Sequence, residues 1–158
     1  MNIKDLQIRK AKIEDAKDIS SLCQQLGYSI SKNKVQAYLE SLDIAEEWIV
    51  YVACQFENSI LGWINLYLSH GLLADRQAEI GGLIVGENFR GNGIGYLLIQ
   101  KAQLWAQQQG CTLIQVRSQT IRQKAHNFYQ NIGFKPCKTQ LVLRKQLDKE
   151  NSLLNKKL

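Results

Sequence analysis

Proline occurs once in this chain, at Pro136, and histidine only at His70 and His126. There is no internal repeat, low-complexity tract or linker, so dense secondary structure within one domain is expected. No unbroken apolar run approaches the roughly 20 residues that a membrane-spanning helix needs, and none is expected. The opening Met1-Asn2-Ile3-Lys4-Asp5 has no apolar stretch of the kind found in signal peptides, which makes a cytoplasmic location the expectation. Cys23, Cys54, Cys111 and Cys137 lie far apart, without a Cys-x-x-Cys pair. Neither histidine has ligand-like spacing with a cysteine or with the other, so no metal site is expected. Cys54 and Cys111 sit inside apolar segments, where a free cysteine acts as a small buried hydrophobe. No run of Lys and Arg dominates and no aromatic–basic interleaving occurs, so nothing indicates a nucleic-acid platform.

The 158 residues are 45% apolar, enough for a core, and carry a net charge of +6. A basic surface suits nucleic acid, an anionic surface or an anionic cofactor, and charge alone does not choose. From Arg144 onward, five basic and two acidic residues contribute +3 of the total. A single domain over residues 1–147 and a solvated basic tail over 148–158 are expected.

Hydrophobic periodicity orders the elements. Leu6-Gln7-Ile8-Arg9 alternates as a first strand. A helix opens at Ile13-Glu14-Asp15, with Ala16, Ile19, Leu22, Cys23 and Leu26 at helical spacing, and Gly27 stops it. A second helix covers Asn33 to Leu42. Strands follow at Trp48–Gln55 and Ile60–Leu68, joined by the turn residues Glu57-Asn58-Ser59. Gln77–Val85 reads as a strand interrupted by Gly81-Gly82, a sign of a bulge or close backbone approach. A helix then runs to about Gln109, followed by a strand over Cys111–Val116. Another helix spans Arg122–Asn131, and a final strand pair begins at Phe134 and includes Leu141-Val142-Leu143. The order β-α-α-β-β-β-α-β-α-β-β predicts a mixed α/β (α+β) domain around one largely antiparallel sheet. It lacks the regular βαβ alternation of a doubly wound fold.

One segment carries chemistry. Leu83-Ile84-Val85 runs into Gly86-Glu87-Asn88-Phe89-Arg90-Gly91-Asn92-Gly93-Ile94-Gly95 and then a helix. A glycine turn there aims backbone N–H groups into the space before the helix, whose dipole adds about half a positive charge. That combination suits a phosphate. Gly91, Gly93 and Gly95 alternate, unlike Gly-x-Gly-x-x-Gly of dinucleotide folds. No Gly-Lys-Ser or Gly-Lys-Thr marks a nucleoside-triphosphate loop. What stands here is Arg-x-x-Gly-x-Gly.

This segment resembles the pyrophosphate-binding motif of the GNAT superfamily of N-acetyltransferases, Gln/Arg-x-x-Gly-x-Gly/Ala. Downstream, Ala125-His126-Asn127-Phe128-Tyr129-Gln130-Asn131-Ile132-Gly133-Phe134 is similar to that family's Ala-x-x-Phe-Tyr-x-x-x-Gly-Phe. The resemblance covers nearly the whole chain. It implies a mixed sheet of about six to seven strands flanked by about four helices, with strands 4 and 5 splayed to admit the pantetheine arm of acetyl-CoA. It also implies that Leu83, Ile84 and Val85 line that arm. Arg90, Gly91, Asn92, Gly93, Ile94, Gly95 and Tyr96 would hold the pyrophosphate. The sequence departs from the family at Arg122, where asparagine is frequent; Arg122 either meets a cofactor phosphate or faces solvent.

The implied reaction is direct transfer of an acetyl group to a primary amine in a ternary complex. A lysine-like amine with a pKa near 10.4 is neutral only about once in a few thousand molecules at pH 7, so a base helps. Glu79 matches the family's catalytic glutamate and would act through a water; a cation-binding role or a solvent-facing edge are the other readings. Tyr129 matches the tyrosine that protonates the departing thiolate, with core packing as the alternative. A backbone N–H near Val85 would hold the oxyanion. The acceptor should lie among the first two helices and the loop Ser69–Arg76, with Tyr28 a candidate lining residue and Glu46, Glu47, His70 and Asp75 ambiguous. The expected partner is a small-molecule or peptide amine, with homodimerisation compatible, and without nucleic acid or membrane. A non-catalytic acyl-CoA-binding module of the same fold is the main alternative.

Overall fold

A computed structural model describes residues 6–42, 47–55, 59–72 and 74–147. The elements are β1 (Gln7–Lys10), α1 (Ala16–Gln24), α2 (Lys32–Leu42), β2 (Trp48–Gln55), β3 (Ser59–Gly71), β4 (Ala74–Val85), α3 (Ile94–Gln108), β5 (Ile114–Val116) and α4 (Gln123–Asn131). One turn of 3-10 helix, Ile13–Asp15, leads into α1, and another, Glu87–Phe89, follows β4. The five strands lie in chain order in one sheet. β1 to β4 pair antiparallel, and β5 joins β4 in parallel.

Alternation along the strands divides the interior into two layers. Ile49, Tyr51 and Ala53 of β2 join Ile64, Leu66 and Leu68 of β3 under α3, whose Ile94, Leu98, Ile99, Ala102 and Trp105 are buried. Val50, Val52 and Cys54 face the other way, onto Ala16, Ile19, Leu22 and Cys23 of α1 and Val35 and Leu39 of α2. β2 is therefore apolar on both faces and reads as an unbroken run. The spacing of Ala16, Ile19 and Cys23 keeps one stripe of α1 on the sheet, as the helical period requires.

An ion pair fixes the entry to α1. Arg9 donates two hydrogen bonds to Asp15, at 2.7 and 2.8 Å, and the Lys12 N–H donates to Asp15 Oδ2 at 2.8 Å. The Asp15 side chain is buried. Burial by itself raises its carboxyl pKa, but the bonds from Arg9 and Lys12 outweigh burial and hold it below the ordinary value.

The fold class matches the expectation, with five strands instead of six or seven. The difference lies after α4. No strand is formed among residues 134–147, and Leu141, Val142 and Leu143 are 90%, 77% and 88% exposed. An apolar triplet has strand propensity, but a strand exists only where another edge takes up its backbone bonds. β5 is also shorter than expected, as is the first helix, whose opening residues form the 3-10 turn. The turn residues Glu57 and Asn58 and the tail 148–158 lie outside the described residues. Among the described residues, no helix is long and apolar enough to cross a membrane.

Replacing Asp15 by Asn should strand the Arg9 charge and lower stability by about 3 kcal/mol. Because the folded carboxyl pKa is depressed, its contribution is complete above the ordinary value of 3.8 and fades as pH falls through the folded value. Urea unfolding of wild type and D15N should therefore differ at neutral pH and converge in acid.

Candidate active site

β4 and β5 pair only from Ala78–Ile114 to Ile80–Val116. β4 continues to Val85 with β3 along one edge, its Leu83, Ile84 and Val85 facing Ile64, Trp63 and Gly62. Among the described residues no strand lies beside its other edge beyond Ile80, so its backbone groups there open onto a gap. The gap belongs to a cleft of about 460 Å³ that passes through the sheet. Cys23, Tyr28, Ile30 and Trp63 line it from the α1–α2 side, and Ala125 and Tyr129 of α4 line it from the other.

The glycine pair in β4 shapes this gap. The β3–β4 register slips between Asn65 and Leu66, which face Gly82 and Ile80, and leaves Gly81 unmatched. One extra residue exchanges the two faces of a strand. Ala78 and Ile80 point into the α3 core before the slip, and Leu83 and Val85 pack against it afterwards. A Cβ on Gly81 would overlap the Asn65 side-chain oxygen, and one on Gly82 would come 2.9 Å from the Trp63 ring.

At the end of β4 the chain turns into α3 through Arg90–Gly93. Gly91 and Gly93 have φ of +79° and +77°, left-handed values that favour glycine. Asn92 holds the turn by donating to the Phe89 carbonyl at 3.1 Å. The first helical bond runs from the Leu97 N–H to the Gly93 carbonyl. The amides of Ile94, Gly95 and Tyr96 precede it and face the space before the helix. The Ile94 side chain is buried, so only its backbone can meet a ligand there. Arg90 folds back, its Nε donating to the Val85 carbonyl at 3.1 Å, with Glu87 3.7 Å from its guanidinium. Gly95 has a packing role too, because a Cβ would sit 3.2 Å from the Phe128 ring of α4. Tyr96 is exposed, and its hydroxyl accepts from Gln100 at 3.0 Å. The turn thus follows the C-terminal end of β4, whose Leu83 and Ile84 line the cleft; Val85 and the residues from Arg90 to Tyr96 do not line it.

The two candidate acid–base residues have different settings. Tyr129 lines the cleft, edge-on to Phe128 and Phe134 with ring centroids 5.2 and 5.3 Å away. Burial pushes its hydroxyl up to about 12, and nearby Arg122 lowers it only partly. The group is therefore a phenol at neutral pH. Glu79 is 2% exposed and does not line the cleft itself. Its Oε2 accepts from Gln115 at 2.9 Å and lies 3.1 Å from the Arg117 guanidinium. Tyr67, opposite it on β3, is pushed up to about 12, first by burial and then by its hydrogen bond to Glu79. Arg117 is 70% exposed and lines the cleft, so it stands between Glu79 and the open space.

Tyr28 also lines the cleft, 47% exposed, and its hydroxyl lies 3.0 Å from a donating Arg122 nitrogen. Arg122, read from the sequence as a phosphate ligand or a solvent-facing group, is exposed and ties the start of α4 to the α1–α2 loop. His70 is hydrogen-bonded to Glu47 at 3.0 Å, and neither lines the cleft, nor does Asp75. Glu46 lies outside the described residues. Cys23 and Cys111 are buried, which raises both thiols; Cys54 is buried too, and Cys137 is exposed. Trp63, Tyr67, Gln115 and Arg117 escape a reading of the sequence. Alternation would put Gln115 and Arg117 on one face of β5, but only the parallel register sets Gln115 beside Glu79.

The sequence matches the acetyltransferase (GNAT) family over residues 14–134. Among curated proteins, no significant sequence match is found. Several solved structures share the fold. The aminoglycoside acetyltransferase AAC(6')-Iy, in complex with the bisubstrate analogue CoA-S-monomethyl-acetylneamine, is 18% identical, with 90% of this chain and 99% of that chain covered at a TM-score of 0.78. The 6'-N-acetyltransferase AAC(6')-Ih from Acinetobacter baumannii is 17% identical, with 90% and 99% covered at 0.79. A transcriptional regulator from Bacillus halodurans is 24% identical, with 89% and 99% covered at 0.77.

Gly81→Ala should displace Asn65, which donates to the Tyr38 hydroxyl of α2 at 2.7 Å, and lower stability by about 1–3 kcal/mol. A thermal melt of G81A indistinguishable from wild type would show that this close approach is not needed.

With the glycine-turned start of α3, the parted strands and the match over residues 14–134 all in agreement, the chain belongs to the GNAT family of acetyltransferases.

Proposed function

We propose that this protein transfers the acetyl group of acetyl-CoA to a primary amine by direct attack within a ternary complex. The observation that carries the reading is the unpaired edge of β4 beyond Ile80, leading straight to the amides at the start of α3. An extended pantetheine arm, with its amides, could bond to that edge as a missing strand would. Leu83, Ile84 and Val85 would supply the edge. Arg90, with the backbone of Gly91, Asn92, Gly93, Ile94, Gly95 and Tyr96, would hold the pyrophosphate.

The amine lone pair attacks the thioester carbonyl carbon, and the carbonyl oxygen takes up the negative charge. A backbone N–H near Val85 is our candidate donor to that oxyanion. Collapse re-forms the carbonyl, breaks the carbon–sulfur bond and releases the CoA thiolate. Tyr129 gives the thiolate its proton from a hydroxyl that lines the cleft and is protonated at neutral pH. Glu79 accepts the amine's proton through a water. Its burial behind Arg117 means that Arg117 must swing aside, as its exposed side chain allows.

CoA at about 100 times its Kd should stabilise the protein by about 2.7 kcal/mol, a rise in melting temperature of several degrees. Gly93→Glu places a carboxylate at a left-handed position in the phosphate site and should abolish that shift; an unchanged shift would remove the site from this segment. In acetylation assays across an amine panel, E79Q and Y129F should each lose about 10² to 10⁴ in kcat. Since the Tyr129 pKa is raised, its deprotonation should not cut the wild-type rate below about pH 10. A descending limb near about pH 8 that vanishes in Y129F would contradict the raised pKa, whereas a rate unchanged in Y129F at every pH would remove Tyr129 as the acid.

A further inference from the structure

The charges around the cleft bear on the acceptor. Among the described residues that line it there is no aspartate or glutamate, and the charged ones are Arg117 and Arg122. Glu79 offsets Arg117 from behind, at 3.1 Å. Arg122 makes no ion pair among the described residues; its bond is to the neutral Tyr28 hydroxyl. A guanidinium has five N–H donors in a fixed fork, so both arginines retain donors after these contacts. Where Arg122 meets Tyr28, this wall of the cleft thus has spare guanidinium donors and a positive charge with no ion-pair partner among the described residues.

Such a wall repels a polycation and has no carboxylate on its surface to bind one. It fits a planar anion, which Arg binds through two parallel hydrogen bonds. The phosphates of CoA do not account for it, because the α3 amides that suit them lie at the β4 end, whereas Arg122 is bonded across to the α1–α2 loop. We infer that the acceptor amine carries an anionic group, a carboxylate or a phosphate, beside its amino group, and that Arg122 together with Arg117 binds that group. This rests on the acetyl-transfer reading above. The amine of such an acceptor would face Glu79 and the thioester while its anion faces Arg122. An anion drawing on Arg117 would also loosen the pair that covers Glu79.

The test compares amines that differ only in charge, using the full chain with acetyl-CoA. α-Amino acids are set against their α-amides, and phosphoethanolamine against ethanolamine, with spermidine and kanamycin as polycations. At least one anionic member should exceed its neutral counterpart by about tenfold or more in kcat/KM, mainly through KM, and exceed both polycations. Arg122→Gln should bring that preference to within about twofold, whereas Arg122→Lys, which keeps the charge and loses the fork, should retain part of it. Efficient acetylation of spermidine or kanamycin with none of the anionic amines overturns the inference. So does a preference that survives in R122Q, or no turnover of any anionic amine while calorimetry shows CoA binding. Absence of CoA binding in calorimetry instead overturns the donor reading beneath it.

Discussion

β4 and β5 share three rungs and then part. Everything at the site depends on that short parallel pairing. Had β5 followed β4 to Val85, the strand edge would be satisfied and the cleft through the sheet would close. Because it stops at Val116, the backbone groups of one β4 edge need partners from elsewhere, and leaving such groups buried and unbonded is costly. The slip at Gly81 works with this parting. It exchanges the faces of β4 midway, so Leu83 and Val85 stay anchored under α3 while the backbone beside them is exposed to the gap.

Polar side chains frame the opening without filling it. Glu79 lies at one rung with Tyr67 on β3 and Gln115 on β5, so both neighbouring strands hold its carboxylate in place. Its remaining partner, Arg117, comes from the first residue past β5, where the chain leaves the sheet. A buried carboxylate is therefore tied to an exposed guanidinium at the lip of the cleft. Across the gap burial raises the Tyr129 hydroxyl further above neutral pH, and Arg122 reaches to Tyr28 over the α1–α2 side. These side chains come from β4, from the residue after β5, from α4 and from the α1–α2 loop.

Local patterns made much of this legible. Ala16, Ile19 and Cys23 announce a helix by spacing, and it forms with those residues buried. Gly81-Gly82 announces a bulge, which the register displays. Gly91 and Gly93 announce a turn with left-handed backbone ahead of a helix, and both take positive φ. Leu141-Val142-Leu143 shows the limit of this reasoning. Its strand propensity is real, yet no partner edge meets it among the described residues, and pairing is a property of two segments, not one.

Sequence alone specified the helices, the strands from β1 to β5 and the glycine turn at the start of α3, because each rests mainly on contacts or dihedrals within a short stretch of chain, but it also suggested a strand pair after α4 that does not form. Tertiary structure decided that Glu79 is buried, that Arg117 covers it and that Arg122 meets Tyr28. Those contacts join residues 38 and 94 positions apart, and no periodicity reports across such distances. They depend on a parallel register and on how two helical layers close over a parted sheet. For the same reason the glycine motif is read from consecutive residues, whereas the grouping of Arg117 and Arg122 around the cleft emerges only when the fold sets them side by side.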